Sequence, residues 1–291
     1  MKSTELSGPL KIVHRLVILF VIVAILLPFY WIGIMSVTPQ RHIAGQAIPS
    51  MIPREISFQG FAQVLGLTEV TGQGARAAQM FRRSLWNSIV VSSISTFLAL
   101  ILGTLGAYAL SRLKFPGKKA SYVAILGSRL LAQITLAVPM FTIFRQFGIL
   151  DTYLPLIIMN TSFCMAWVTL IMNNYFDMID SDMESAARVD GCTRFGAFWR
   201  VLLPMARPGL ISVMLISFLF SWGEFLYALL FTSSMSARTM PVVLSMFLGQ
   251  FAIEYRMLAS GIILGVLPPV ILALLFQRFI VSGLTQGGLK G

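Results

Sequence analysis

Two ionisable side chains sit inside otherwise uncharged apolar runs of this 291-residue chain, Arg129 within 120–144 and Glu224 within 208–237. Chemistry is expected there first, because a charge at membrane depth is costly and persists where it serves a path or a pair. Arg129 lies about nine residues into its run, about 13 Å deep at 1.5 Å per residue. Two placements suit it: lining a polar path with Gln133, or snorkelling towards the inner headgroups. Glu224 lies about 15 residues into its run, too far to snorkel easily to the inner surface. It is expected to face the bundle interior or to pair with a basic group of a partner subunit. Trp222, Phe225 and Tyr227 offer ring faces to a sugar, and they equally fit ordinary aromatic packing or interfacial anchoring. Arg129, Gln133, Trp222 and Glu224 are thus the candidate lining of a path.

Other chemistry lacks its residues. No GxxxxGK[ST] phosphate loop occurs, so the chain carries no ATPase site of that kind. There is no HExxH, no GxSxG, and the two histidines, His14 and His42, fall in different compartments. Cys164 lies in an apolar run and Cys192 in a polar loop, so neither a disulfide nor a Cys/His metal site is expected. An intramembrane enzyme is therefore disfavoured. An ion-coupled secondary carrier acting without an ATPase is the alternative reading, though such carriers usually place more than two ionisable groups mid-membrane.

The elements that must position these residues are spanning helices. Hydrophobic residues make up 57% of the chain and charged ones 11%, where soluble domains are about a quarter charged. Six runs reach the roughly 20 residues a span needs. The spans are expected at about 13–36, 85–111, 120–145, 153–176, 209–232 and 257–278. The first is too long for a secretory signal and no small-residue cleavage site follows it. The net charge of +11 reflects orientation, not nucleic acid, since no soluble domain could present a basic face. RLKFPGKK (112–119) holds four positive charges and no acid, which places it and both termini inside. The chain then reads as a cytoplasmic N-terminus (1–12), a membrane domain (13–281) and a cytoplasmic tail (282–291). In the outer loop, Ser57 is expected to cap a helix over FQGFAQVL, and ARAAQMFRR to form another.

The segment 177–208 is the most informative loop. Asp180 or Ser181 can cap a helix with Asp182 and Glu184 in its first turn, near the positive end of the dipole. Gly191 supplies the left-handed stop. Thr193 can cap a second helix with Phe195, Phe198, Trp199 and Leu202 along one stripe. Two short helices at an elbow result, one small and polar, one able to pack on the membrane domain. The first either rests on lipid headgroups or enters a protein partner's socket; its acidity makes it a poor lipid binder.

Here the sequence resembles the permease subunits of binding-protein-dependent ABC importers. Their cytoplasmic signature is Glu-Ala-Ala, three residues, Gly, nine residues, an aliphatic, one residue, Leu-Pro. Ala186, Ala187, Gly191, Val201, Leu203 and Pro204 fall on that spacing. Ser185 departs from it, and Glu184 keeps a carboxylate one place earlier. LWNSI (85–89), GAYALSRLKFPGKK (106–119), AARVDGCTRFGAFWRVLLPMARPG (186–209), SWGEFLYALLFTSS (221–234), ARTMPVVL (237–244) and QRFIVSGLTQGGLKG (277–291) narrow the likeness to the carbohydrate-uptake branch, on the side of its smaller, maltose-type permease. SWGEF departs from the commoner SWNEF at Gly223.

The resemblance implies an all-α membrane protein of six transmembrane helices, the type I ABC importer permease fold with a cytoplasmic coupling helix. It implies ATPase contacts through Glu184, Ser185, Ala186, Ala187, Asp190, Gly191, Leu203 and Pro204, and through Gln286, Gly287 and Gly288 of the tail. It further implies a heterodimer with a second, homologous permease, two copies of an ABC ATPase, an extracytoplasmic solute-binding protein, and residence in a bacterial or archaeal inner membrane. No cofactor is expected on this chain; ATP and Mg belong to the partner ATPase.

Overall fold

The computed structural model describes residues 8–43, 51–68, 73–249 and 255–287, and these are helical without a strand. In chain order the helices are α1 (Gly8–Val37), α2 (Gln59–Leu65), α3 (Gln73–Arg112), α4 (Lys118–Ser128), α5 (Gln133–Gln146), α6 (Tyr153–Met178), α7 (Ser181–Val189), α8 (Arg194–Met205), α9 (Arg207–Trp222), α10 (Leu226–Phe231), α11 (Met240–Gly249) and α12 (Tyr255–Gly287), with one further turn at Gln40–Ile43. Four of them, α1, α3, α6 and α12, are long and apolar enough to cross a bilayer alone. Counting each of two bent pairs as one span gives six.

One of these pairs is α8 and α9, which meet at 78° around Ala206; the other falls within a single expected run and corrects the expectation of a straight span there. The run over 120–145 is two helices, α4 and α5, meeting at 94° across 129–132. The fifth run, expected at 209–232, divides at 223–225 into α9 and α10. The second outer helix is not separate, because ARAAQMFRR continues into the span and α3 reaches 40 residues. At the far end, α12 runs on to Gly287, so most of the expected tail is helix.

The chain divides into two compact units, 1–79 with 246–265, and 80–245 with 266–291. In the first unit α1 exposes apolar side chains from Ile12 to Tyr30 and buries only its end, around Ile34 and Ser36. A helix so apolar on every side belongs in lipid or against another apolar helix. Ser57 donates its N–H to Val37 O, and its Oγ accepts weakly from Gln59 N at 3.4 Å at the start of α2. Arg256 reaches the Gln59 and Gln63 side chains at 3.2 Å each.

In the second unit, α3, α6, α8 and α9 bury a common core of Ala99, Ala107, Val168, Met172, Phe176, Phe198, Leu202 and Val213. Two glycines permit that packing. A Cβ on Gly103 would lie 2.7 Å from the Val168 side chain, and one on Gly209 would lie 2.7 Å from the Tyr175 ring. Small residues at such crossings let helices approach where lipid supplies no hydrophobic drive.

Candidate coupling loop and translocation path

The elbow between α7 and α8 forms by the capping that its sequence dictates. Asp180 accepts from Asp182 N at 3.0 Å to start α7, and Thr193 Oγ1 accepts from Gly196 N at 3.0 Å to start α8. Gly191 stands between them at φ +91 with open space around its absent Cβ, so its requirement is conformational and not steric. The expected aromatic stripe divides. Phe198 and Leu202 are buried, Phe198 lying 4.8 Å from the Tyr108 ring, whereas Phe195 and Trp199 point outwards. The π-turn at Phe198–Leu202 displaces the register locally.

Glu184 turns inwards. Its Oε1 accepts from the Tyr108 hydroxyl at 2.8 Å and its Oε2 lies 3.6 Å from Arg112 Nε, with only 13% of either charged side chain exposed. Arg112 also donates to the Phe176 and Ile179 carbonyls at the end of α6. Beside it, Ser111 and Asn173 both donate to Asp177. The base of the loop is thereby strapped to the C-terminal end of α3. Ser185 is exposed and its hydroxyl donates back to Ser181 O at 3.1 Å. Adjacent helical residues point about 100° apart, so Glu184 does not replace a carboxylate at 185; it holds the loop to its own chain. Ala186, Asp190 and Gly191 are exposed, Ala187 is buried, and Leu203 and Pro204 are half-buried. Of the tail residues, Gln286 and Gly287 end α12 and Gly288 lies outside the described residues.

The membrane-depth candidates separate into two kinds. Arg129 occupies the break between α4 and α5, donating to Phe163 O at 2.8 Å with its guanidinium 4.2 Å from the Trp167 ring centre. Trp222 is buried and stacks on Phe218 at 5.6 Å, so its ring is not offered to a solute. Gln133 and Glu224, by contrast, line one concavity of 430 Å³ with Phe220, Gly223 and Phe225. Glu224 is 7% exposed, and its two oxygens accept the Tyr227 and Ala228 N–H groups at 2.7 and 3.1 Å, which starts α10. The Tyr227 hydroxyl donates to Gln133 O at 3.0 Å, tying the two breaks together.

Residues with no chemical signature of their own fasten the loops at 147–152 and 232–239. Asp151, at φ +59, accepts the Ser233 and Ser234 N–H groups at 2.9 Å each, and its own N–H donates to Phe231 O. Burial pushes its carboxyl up, but the hydrogen bonds from Ser234 and Ser233 together outweigh this and hold it below the usual carboxylate value. Asn87 of α3 donates to Met235 O and Arg238 O and accepts from the Tyr153 hydroxyl at 2.6 Å. Only the asparagine in LWNSI hinted at this in sequence. Among the described residues no three His, Cys, Asp or Glu side chains converge on a metal position.

With this geometry in hand, comparisons with known proteins give a consistent picture. The family model described as "Binding-protein-dependent transport system inner membrane component" matches residues 99–286. The sulfoquinovosyl glycerol transport system permease protein SmoH of Agrobacterium fabrum is 37% identical, covering 71% of this chain and 73% of its own. The trehalose transport system permease protein SugB of Mycobacterium tuberculosis is 34% identical over 91% of this chain and 93% of its own. In fold, a chain from the crystal structure of a bacterial ABC transporter involved in importing the acidic polysaccharide alginate matches with a TM-score of 0.77 at 22% identity, covering 92% of this chain and 95% of that one.

Proposed function

The chain belongs to the binding-protein-dependent transport system inner membrane components, and from that premise we propose that it is the permease subunit through which an ABC importer takes up a sugar or sugar-like solute. It is a multi-pass transport component. The observation that carries the coupling mechanism is the strap at the base of the cytoplasmic elbow, where Arg112 and Tyr108 of α3 hold Glu184 of α7. A partner ATPase that binds ATP and Mg and closes would push on the exposed face of α7 and the turn after it, at Ser185, Ala186, Asp190 and Gly191. The strap passes that push to α3, and the buried Phe198 and Leu202 pass it to α6 and α9. Gln286, Gly287 and Gly288 are a second contact with the ATPase. Gln133 and Glu224 line the path; Arg129 and Trp222 brace it.

The remaining parts follow the family resemblance of the sequence. A second, homologous permease completes a heterodimer, two ATPase copies sit beneath it, and an extracytoplasmic binding protein delivers the solute at an inner membrane. The sugar reading rests on relatives named for a sulfoquinovosyl glycerol system and a trehalose system. The test is reconstitution of the complete complex in proteoliposomes with internal ATP and external radiolabelled trehalose, maltose or maltotriose. Uptake is expected to need ATP and the binding protein and to survive collapse of proton and sodium gradients. Uptake that needs a gradient and not ATP would overturn the reading in favour of an ion-coupled carrier.

A further inference from the structure

We propose that the concavity where the break between α4 and α5 meets the break between α9 and α10 is a subsite for a neutral, polyhydroxylated solute, and that Gly223 sets the size of group it admits. The inference rests on the importer reading above and goes beyond it by naming a site on this chain. Four observations carry it.

The first is the pair of breaks. Non-helical backbone at membrane depth is tolerated where protein buries it or where it lines a water-filled cavity, and transporters build solute sites from such interrupted helices. Here Gln133 opens α5 after one break, Gly223 to Phe225 form the other, and the Tyr227 hydroxyl joins them through Gln133 O at 3.0 Å. Secondly, the concavity they enclose measures 430 Å³ and presents an amide (Gln133), a carboxylate (Glu224) and two rings (Phe220, Phe225). The Glu224 carboxylate is met by the backbone N–H groups of Tyr227, Ala228 and Leu226, and of its roughly four lone-pair sites one is left for a hydroxyl donor. The lining has no cation, so an acidic sugar meets only like charge; a neutral one suits the wall.

The third observation concerns why position 223 lacks a side chain. Gly223 adopts φ −83 and ψ 0, where any residue is comfortable, so the backbone does not require glycine. Finally, packing does not require it either: an added Cβ would meet only Leu219 O, at an ordinary 3.5 Å. Gly103 and Gly209 are glycines for want of room; Gly223 has room to spare. A side chain at 223 would instead occupy the space of the concavity, so its absence is felt by whatever passes there.

The experiment uses the complete complex, in a background with Cys164 and Cys192 replaced by serine. Gly223→Cys is treated with membrane-impermeant methanethiosulfonates, one cationic and one anionic, in the resting and ATP-trapped states. Labelling is expected in at least one state, with the cationic reagent about tenfold or more faster because Glu224 lines the same wall. In parallel, trehalose uptake per assembled complex is expected to fall in the order Gly223, Ala, Asn, Trp, by about tenfold or more at tryptophan. Thermal unfolding of the complex is not expected to fall along that series, which separates blockage from misfolding. No labelling in either state overturns the subsite. Labelling together with parent-level uptake by Gly223→Trp overturns the size-setting role alone. Absence of trehalose, maltose and maltotriose uptake in the parent complex overturns the proposed function and the sugar chemistry with it.

Discussion

Glu184 illustrates how a single residue can keep its type and change its task. It stands beside the position where the family signature carries glutamate, yet its carboxylate is spent on Tyr108 and Arg112 within its own chain. Removing its charge with Glu184→Gln is expected to lower the unfolding free energy by roughly 1.5–3 kcal/mol, the range for hydrogen bonds to charged groups. The same change should reduce ATP hydrolysis stimulated by the binding protein more than basal hydrolysis, measured on the purified complex. Ser185→Glu, on the exposed face, is expected to leave the melting temperature within a degree or so of the parent, as surface substitutions usually do. Gly191→Ala should cost about 1–2 kcal/mol through left-handed strain, read as a lower thermal midpoint of the complex. The caps at Asp180, Thr193 and Gly191 were legible from sequence because capping is local chemistry. The inward turn of Glu184 was not, because it depends on which face of α7 meets α3.

At the scale of elements, the breaks matter more than the spans. Composition places six apolar runs, since lipid demands length and apolarity, and it is indifferent to a bend inside a run. Leu130, Leu131 and Ala132 look no different from the helical residues around them, yet α4 and α5 part there at 94°. Glutamate at 224 left a fainter trace, read in sequence as pathway chemistry and found in structure also to start α10. The packing of α6 on α9 gives its own test. Gly209→Ala is expected to destabilise by about 1–3 kcal/mol, because the added methyl meets the Tyr175 ring and the core must shift. The outer clamp responds to acid. The Asp151 carboxyl lies below its ordinary value in the folded protein, so its contribution is fully present above that ordinary value and fades as pH falls through the folded one. Hydrogen exchange across 231–239 should therefore accelerate as pH drops below about 4 relative to its intrinsic rate. Asp151→Asn should exchange faster throughout and lose that pH response.

For the whole molecule, the feature with the widest reach is α1, whose large apolar side chains from Ile12 to Tyr30 are exposed among the described residues. The second permease proposed above would give it an apolar neighbour. Pulse–chase of the chain expressed alone is expected to show faster degradation than co-expression with that partner; equal lifetimes would count against the heterodimer. The family was readable almost end to end in motifs, because the residues of the elbow and of SWGEF carry spacing that few other proteins share. What the elbow is fastened to required coordinates.

One consequence follows from α3. Asn87, which grips the outer 235–238 backbone, and Arg112, which grips the inner elbow, lie on the same helix with no proline between them. They are 25 residues apart in number, about 38 Å of stiff backbone. A shaft fixed at both ends transmits in both directions. Whatever factor a protein docked outside imposes on nucleotide affinity inside, nucleotide must impose on the docking in return, since linkage between two sites is reciprocal.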